Sequence, residues 1–83
     1  MEYVTNKISG AVSARAITPS DTVNFADGVC RALYITASGN LSVLLANDTA
    51  PIVYPVVATE IMPVNAIRVY ATGTTTATCV AWY

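Results

Sequence analysis

The residues able to do chemistry in this chain of 83 are few and far apart. Histidine, the commonest general base, is absent. The carboxylates are Glu2, Asp21, Asp27, Asp48 and Glu60. Asp21, Asp27 and Asp48 fall in predicted turns, where aspartate normally bonds its own backbone, and no two acids stand in a catalytic pairing. Cys30 and Cys79 lie in β-branched, apolar runs without CxxC spacing, so they read as buried thiols rather than zinc ligands. As a nucleophile Cys30 would need a basic partner, and its neighbour Arg31 points to the opposite side of a strand and cannot take a proton. Gly10, Gly28, Gly39 and Gly73 are scattered, so no phosphate-cradling loop is present. The expectation is a protein with no catalytic residues, no metal site and no cofactor.

What the chain has instead is apolar surface. Hydrophobic residues are 54% and charged residues 11%, against about 25% charged in an ordinary domain. The net charge of −1 and the lack of any Lys/Arg cluster remove nucleic acid as a partner. Apolar stretches break within about eight residues, far short of the ~20 of a membrane span, and the N-terminus does not read as a secretion signal. One small core is available, marginal alone at this size. Nine charges cannot coat a free surface, which points to burial against other protein. Tyr34, Tyr54, Tyr70, Trp82 and Tyr83 fall in strands and read as core packing plus subunit contacts. An exposed aromatic platform for sugars is the alternative. Arg31 and Arg68 fit either a turn carboxylate or a neighbouring subunit.

The elements that position these residues are strands. Thr (11), Val (11) and Ile (6) dominate, and β-branched side chains favour the pleated conformation. No window shows a period of 3.6. Residues 1–16 read as an extended arm, with Tyr3, Val4 and Ile8 as apolar anchors onto a neighbouring chain or other protein, and 17–83 as a single β domain. In the latter, Pro19 holds Thr18 extended, Ser20 or Asp21 caps a turn, and Asp27-Gly28 is a turn. Strands are predicted at 29–36, 41–46, 52–57, 58–63, 66–71 and 76–83. Ser38-Gly39-Asn40 would join the first two as a hairpin. Pro51 and Pro55 send the third to a sheet edge or a bulge. The fold class is all-β: a small β-sandwich or barrel of about six antiparallel strands with an extended N-terminal arm.

Ile17-Thr18-Pro19-Ser20-Asp21-Thr22, Cys30-Arg31-Ala32-Leu33-Tyr34-Ile35 and Ser38-Gly39-Asn40-Leu41-Ser42-Val43 occur in that order. The chain ends on the block from Met62 through Ala71-Thr72-Gly73-Thr74-Thr75-Thr76-Ala77-Thr78-Cys79-Val80-Ala81-Trp82-Tyr83. This resembles the small head-spike base and capsid decoration proteins of tailed bacteriophages and gene transfer agents. In that family an I-x-P-S-D-T start, an R-A/G-L-Y strand and a terminal A-T-G-T-T-A-T-x-x-V-A-x-Y recur, and the match spans residues 17–83. The chain departs from the pattern at Pro55 and Val56-Val57, in a segment more polar in relatives, and at Asn65-Ala66, where a basic residue is expected. These departures bear on fibre mounting more than on fold.

The resemblance implies a structural virion protein, not an enzyme. It would be assembled in the host cytoplasm and would oligomerise on the outer face of a capsid, decorating or cementing the shell or seating a head spike or fibre. The partners so implied are further copies of the chain (a homo-oligomer), the major capsid protein and a head fibre protein. A small β-rich module binding a host glycan is the other reading of the same residues.

Overall fold

Leu33 and Ile35 alternate with Ala32, Tyr34 and Thr36, and Leu41, Val43 and Leu45 alternate with Ser42 and Leu44. In a pleated strand such spacing sends one set to each face. In the computed structural model, which describes residues 11–83, Leu33, Ile35, Leu41 and Val43 are all fully buried, facing one another between two sheets. The expected anchors Tyr3, Val4 and Ile8 lie outside the described residues.

Seven strands form: β1 (Ala14–Ala16), β2 (Ala32–Ala37), β3 (Gly39–Leu45), β4 (Ile52–Val56), β5 (Ile61–Met62), β6 (Ala66–Val69) and β7 (Thr78–Trp82). One sheet has the order β1-β7-β2-β5 and the other β4-β3-β6, every pairing antiparallel. This is an all-β sandwich. Its core combines Leu33, Ile35, Leu41, Val43 and Val69 with the small residues Cys30, Ala66, Ala77, Cys79 and Ala81.

The predicted hairpin does not form. β2 pairs with β7 and β5, and β3 pairs with β4 and β6, so the chain changes sheet at Ser38-Gly39. Paired in one sheet, the two strands would turn Leu33, Ile35, Leu41 and Val43 to a single face. In opposite sheets these side chains bury one another. Gly39 permits the crossing: its φ is +152°, and a Cβ there would stand 2.6 Å from both the Ala77 amide nitrogen and Thr76 Oγ1.

Several boundaries also shift. Residues 29–31 do not join β2. Cys30 N–H donates to Ala66 O on β6, and Arg31 N–H to Trp82 O on β7, so these residues cross between the layers. The strand predicted at 58–63 shrinks to β5, because Thr59 takes a left-handed turn (φ 70°) and Pro63 ends the strand. Ala14–Ala16, predicted as part of the arm, pair with Val80–Trp82.

Sheet edges matter in so small a sandwich. The segment before β2 seals the outer edge of β6: Ser20, Phe25 and Cys30 amides donate to the carbonyls of Val69, Ile67 and Ala66. β4 lies at an edge, as its prolines required. On β3, Ser42 and Asn40 direct their amides to Thr74 and Thr75, away from β4. By the alternation of an antiparallel ladder, the backbone groups of Val53 and Pro55 on β4, and of Val57 just past it, therefore point away from β3. Pro55 has no N–H, and Val57 N–H is taken by Glu60 Oε1 at 3.1 Å. That edge is blunted.

Candidate functional site

Among the described residues the titratable groups do not assemble a reactive centre. Cys30 and Cys79 are buried free thiols. Burial pushes both up, Cys79 to about 12 with a further push from Cys30. Cys30 Sγ–H donates to the Val64 carbonyl at 3.6 Å. No group of three or more His, Cys, Asp or Glu residues able to hold a metal occurs among the described residues.

Asp21 does not bond its own backbone as expected. Its carboxylate accepts from Thr72 N–H at 2.9 Å and Thr72 Oγ1–H at 2.6 Å, which clips the 17–22 segment to the loop after β6. The turn-capping role falls to Ser20, whose Oγ accepts from the amides of Thr22 and Val23. Arg68 joins this cluster: Nε donates to Asn24 Oδ1 at 2.8 Å, and Nη1 to the Asp21 carbonyl and Tyr70 OH. Asp27 pairs with Arg15 at 3.0 Å, both about half exposed. Such an exposed pair contributes about 0–1 kcal/mol. These contacts tie loops down.

The feature that stands out is the outer face of the four-stranded sheet. Leu33, Ile35, Cys79 and Ala81 point inward, so Ala32, Tyr34, Val80 and Trp82 lie on the other face, where Ala32 is buried and the other three are half-buried. The register carries the pattern across all four strands. Ala16 lies opposite Val80, Val80 opposite Tyr34, and Tyr34 opposite Ile61, making one row. Ala14, Trp82 and Ala32 make the next. Tyr34 and Trp82 stack, with centroids 5.6 Å apart and planes 5° from parallel. The Thr36 and Thr78 hydroxyls bond each other at the foot of the face.

Neither row contains a charged residue. A solvated antiparallel face is normally polar, whereas Tyr and Trp over aliphatic neighbours is the composition of an interface centre. Four strands ~4.8 Å apart and two rows ~7 Å apart give a face on the order of 300 Å². Counting both partners that is about 600 Å², half the ~1,200 Å² at the low end of a specific interface. A face of that size needs further surface around it to make a specific interface.

Strict alternation along 29–36 would set Cys30 on one face with Ala32 and Tyr34. Cys30 in fact precedes β2 and lies in the core, while Tyr34 is outside. The signal for the face was present in β7, where Cys79 and Ala81 alternate with Val80 and Trp82 and both phases are apolar.

No family model matches the sequence, and no curated protein is significantly similar to it. Among solved structures, one described as the capsid of a native GTA particle computed with C5 symmetry contains a chain 37% identical to this one. The TM-score is 0.83, and the match covers 100% of this chain and 99% of that one. The chain belongs to the same family as that capsid-particle component. For a member of this family the outer face of β1-β7-β2-β5 is the site to explain. Its two rows come from four strands, among them β7 near the C-terminal end of the sequence.

Proposed function

We propose that this chain is a structural virion subunit that oligomerises on the outer surface of a phage-type or gene-transfer-agent capsid. There it decorates or cements the shell, or seats a head spike or fibre. The observation that carries the reading is the uncharged aromatic face Ala16–Val80–Tyr34–Ile61 and Ala14–Trp82–Ala32, in a chain whose relative is part of a capsid particle. The role is one of adhesion and not of catalysis. A face of about 300 Å² holds weakly by itself, and several copies joined in one oligomer raise the attachment through avidity. The major capsid protein is the partner for this face.

The test is sedimentation with purified capsids that lack this chain. Val80→Lys places a charge in the middle of the outer face without touching the core, and its stem can lie along the sheet. Binding is expected to fall at least tenfold, with the melting temperature changed by only a few degrees. Val57→Lys, just past β4, serves as the matched control and keeps wild-type binding. Equal binding by Val80→Lys and wild type would overturn the assignment.

A further inference from the structure

Of the four strands at sheet edges, β1 is left open among the described residues. The edge of β6 is sealed by the segment before β2. That of β4 is blunted by Pro55 and Glu60. β5 has two residues and runs into Pro63. On β1, Ser13 exchanges both backbone hydrogen bonds with Tyr83, and Ile17 N–H donates to Cys79 O. The alternation of the ladder therefore sends the amides of Ala14 and Ala16 outward. The Ala14 carbonyl accepts from Arg15 Nη1 at 2.9 Å. Ala14 N–H, Ala16 N–H and Ala16 C=O have no partner among the described residues. Ala14, Arg15 and Ala16 are all exposed, and β1 carries no proline.

Two apolar hollows of about 390 Å³ each flank this edge. One lies between Ala16, Ile17, Val23 and Phe25. The other lies between Val12, Ala14 and Trp82. A strand laid along β1 would have a place for large side chains beside either end.

We propose that the occupant of the β1 edge is the N-terminal segment of a neighbouring copy, residues 3–9, which adds as a fifth strand to the β1-β7-β2-β5 sheet. This rests on the homo-oligomer of the reading above and names its joint. Tyr3-Val4-Thr5-Asn6-Lys7-Ile8-Ser9 is rich in strand formers and has no proline. Extended, it sets Val4 and Ile8 on one face and Tyr3 on the other, apolar side chains for the two hollows. Ten residues reach up to ~35 Å, more than two of the molecule's three extents of 42, 25 and 18 Å, so the segment can reach from one subunit to the edge of a neighbour set side by side with it. Each copy gives one segment and accepts one. Such a head-to-tail contact closes into a ring when its rotation permits. Main-chain hydrogen bonds supply the attachment and the side-chain hollows set the register.

Two variants separate donor from acceptor. Deleting residues 1–10 leaves the edge but removes the strand. Ala14→Pro leaves the segment and removes only an outward N–H, a position where edge strands tolerate proline. Each alone is expected to weaken self-association at least tenfold by light scattering, with circular dichroism unchanged. Mixed together, the two should form one-to-one pairs, because the intact segment of Ala14→Pro fits the intact edge of the truncated chain. Unchanged mass for Ala14→Pro overturns the proposal. So does a mixture that stays unpaired, as it would if each segment folded back onto its own edge. If Ala14→Pro does not fold, Ala16→Pro is used in its place, with the same outcomes. The readout is mass without capsids, so it can fail while capsid binding through the aromatic face holds, and the reverse.

Discussion

Asp21 takes two hydrogen bonds from one residue, and the charged form of its carboxyl gains from both. The Thr72 hydroxyl and then the Thr72 amide hold it below the ordinary value of 3.8, with Arg68 adding a smaller pull. A carboxyl more acidic in the folded chain than in the unfolded one contributes stability above its unfolded pKa. That contribution is lost as pH falls through the lower, folded value. Asp21→Asn should therefore lower the urea midpoint at pH 7. The gap from wild type should stay constant down to about pH 5 and narrow below about pH 4, where the wild-type carboxyl takes up a proton. Urea titrations at unit steps from pH 7 to 2 check this, and a gap that persists unchanged at pH 2 would count against it. Turn chemistry made Asp21 legible as a loop residue. The partner 51 positions away was not legible, because a carboxylate's choice between its own backbone and a distant threonine is set by tertiary packing.

Among the elements, Gly39 governs how the two sheets connect. Its φ of +152° is strained for any side chain, and the nearest atom to an added Cβ is a backbone nitrogen, which cannot step aside. Gly28 has φ +85° but open space around it. Gly39→Ala is expected to cost about 3 kcal/mol or more, from backbone strain of 1–3 kcal/mol plus the clash. Gly28→Ala should cost only about 1 kcal/mol. Urea unfolding of the two variants decides, with equal losses as the contrary result. The same glycine explains what the sequence could and could not tell. Alternation of Leu33, Ile35, Leu41 and Val43 reveals two strands and their buried phase, and Pro51 and Pro55 place β4 at an edge. Alternation is blind to which strand lies beside which. Ser-Gly-Asn between two strands fits a hairpin as well as it fits a passage from layer to layer. β1 was missed for a related reason: Ala-Arg-Ala has no pattern of its own and is a strand because Val80–Trp82 offers it a ladder. The apolar face is half legible, since strand aromatics suggest contacts, but only the register shows that four strands align the rows.

For the whole molecule the question is where the stability resides. The interior is built largely from alanine, cysteine and valine beside a few leucine and isoleucine side chains, while Trp82 and Tyr34 stack outside it. Both rings are half-buried in the single chain and have area left to cover, and assembly of native subunits adds to stability by mass action. For a subunit held in an oligomer, each tenfold rise in concentration adds roughly 1 kcal/mol per chain, from RT ln 10 of about 1.4 kcal/mol shared among the copies. In a domain of this size 1 kcal/mol moves the melting temperature by roughly 4–8 °C. The melting temperature should accordingly climb by several degrees for each tenfold increase in protein above the association midpoint, and Ala14→Pro should flatten that slope by moving the midpoint upward. Calorimetry at three concentrations spanning a hundredfold measures it. A melting temperature independent of concentration, in a sample that light scattering shows to be monomeric throughout, would mean that the small core suffices and that no sister chain fills the β1 edge in solution.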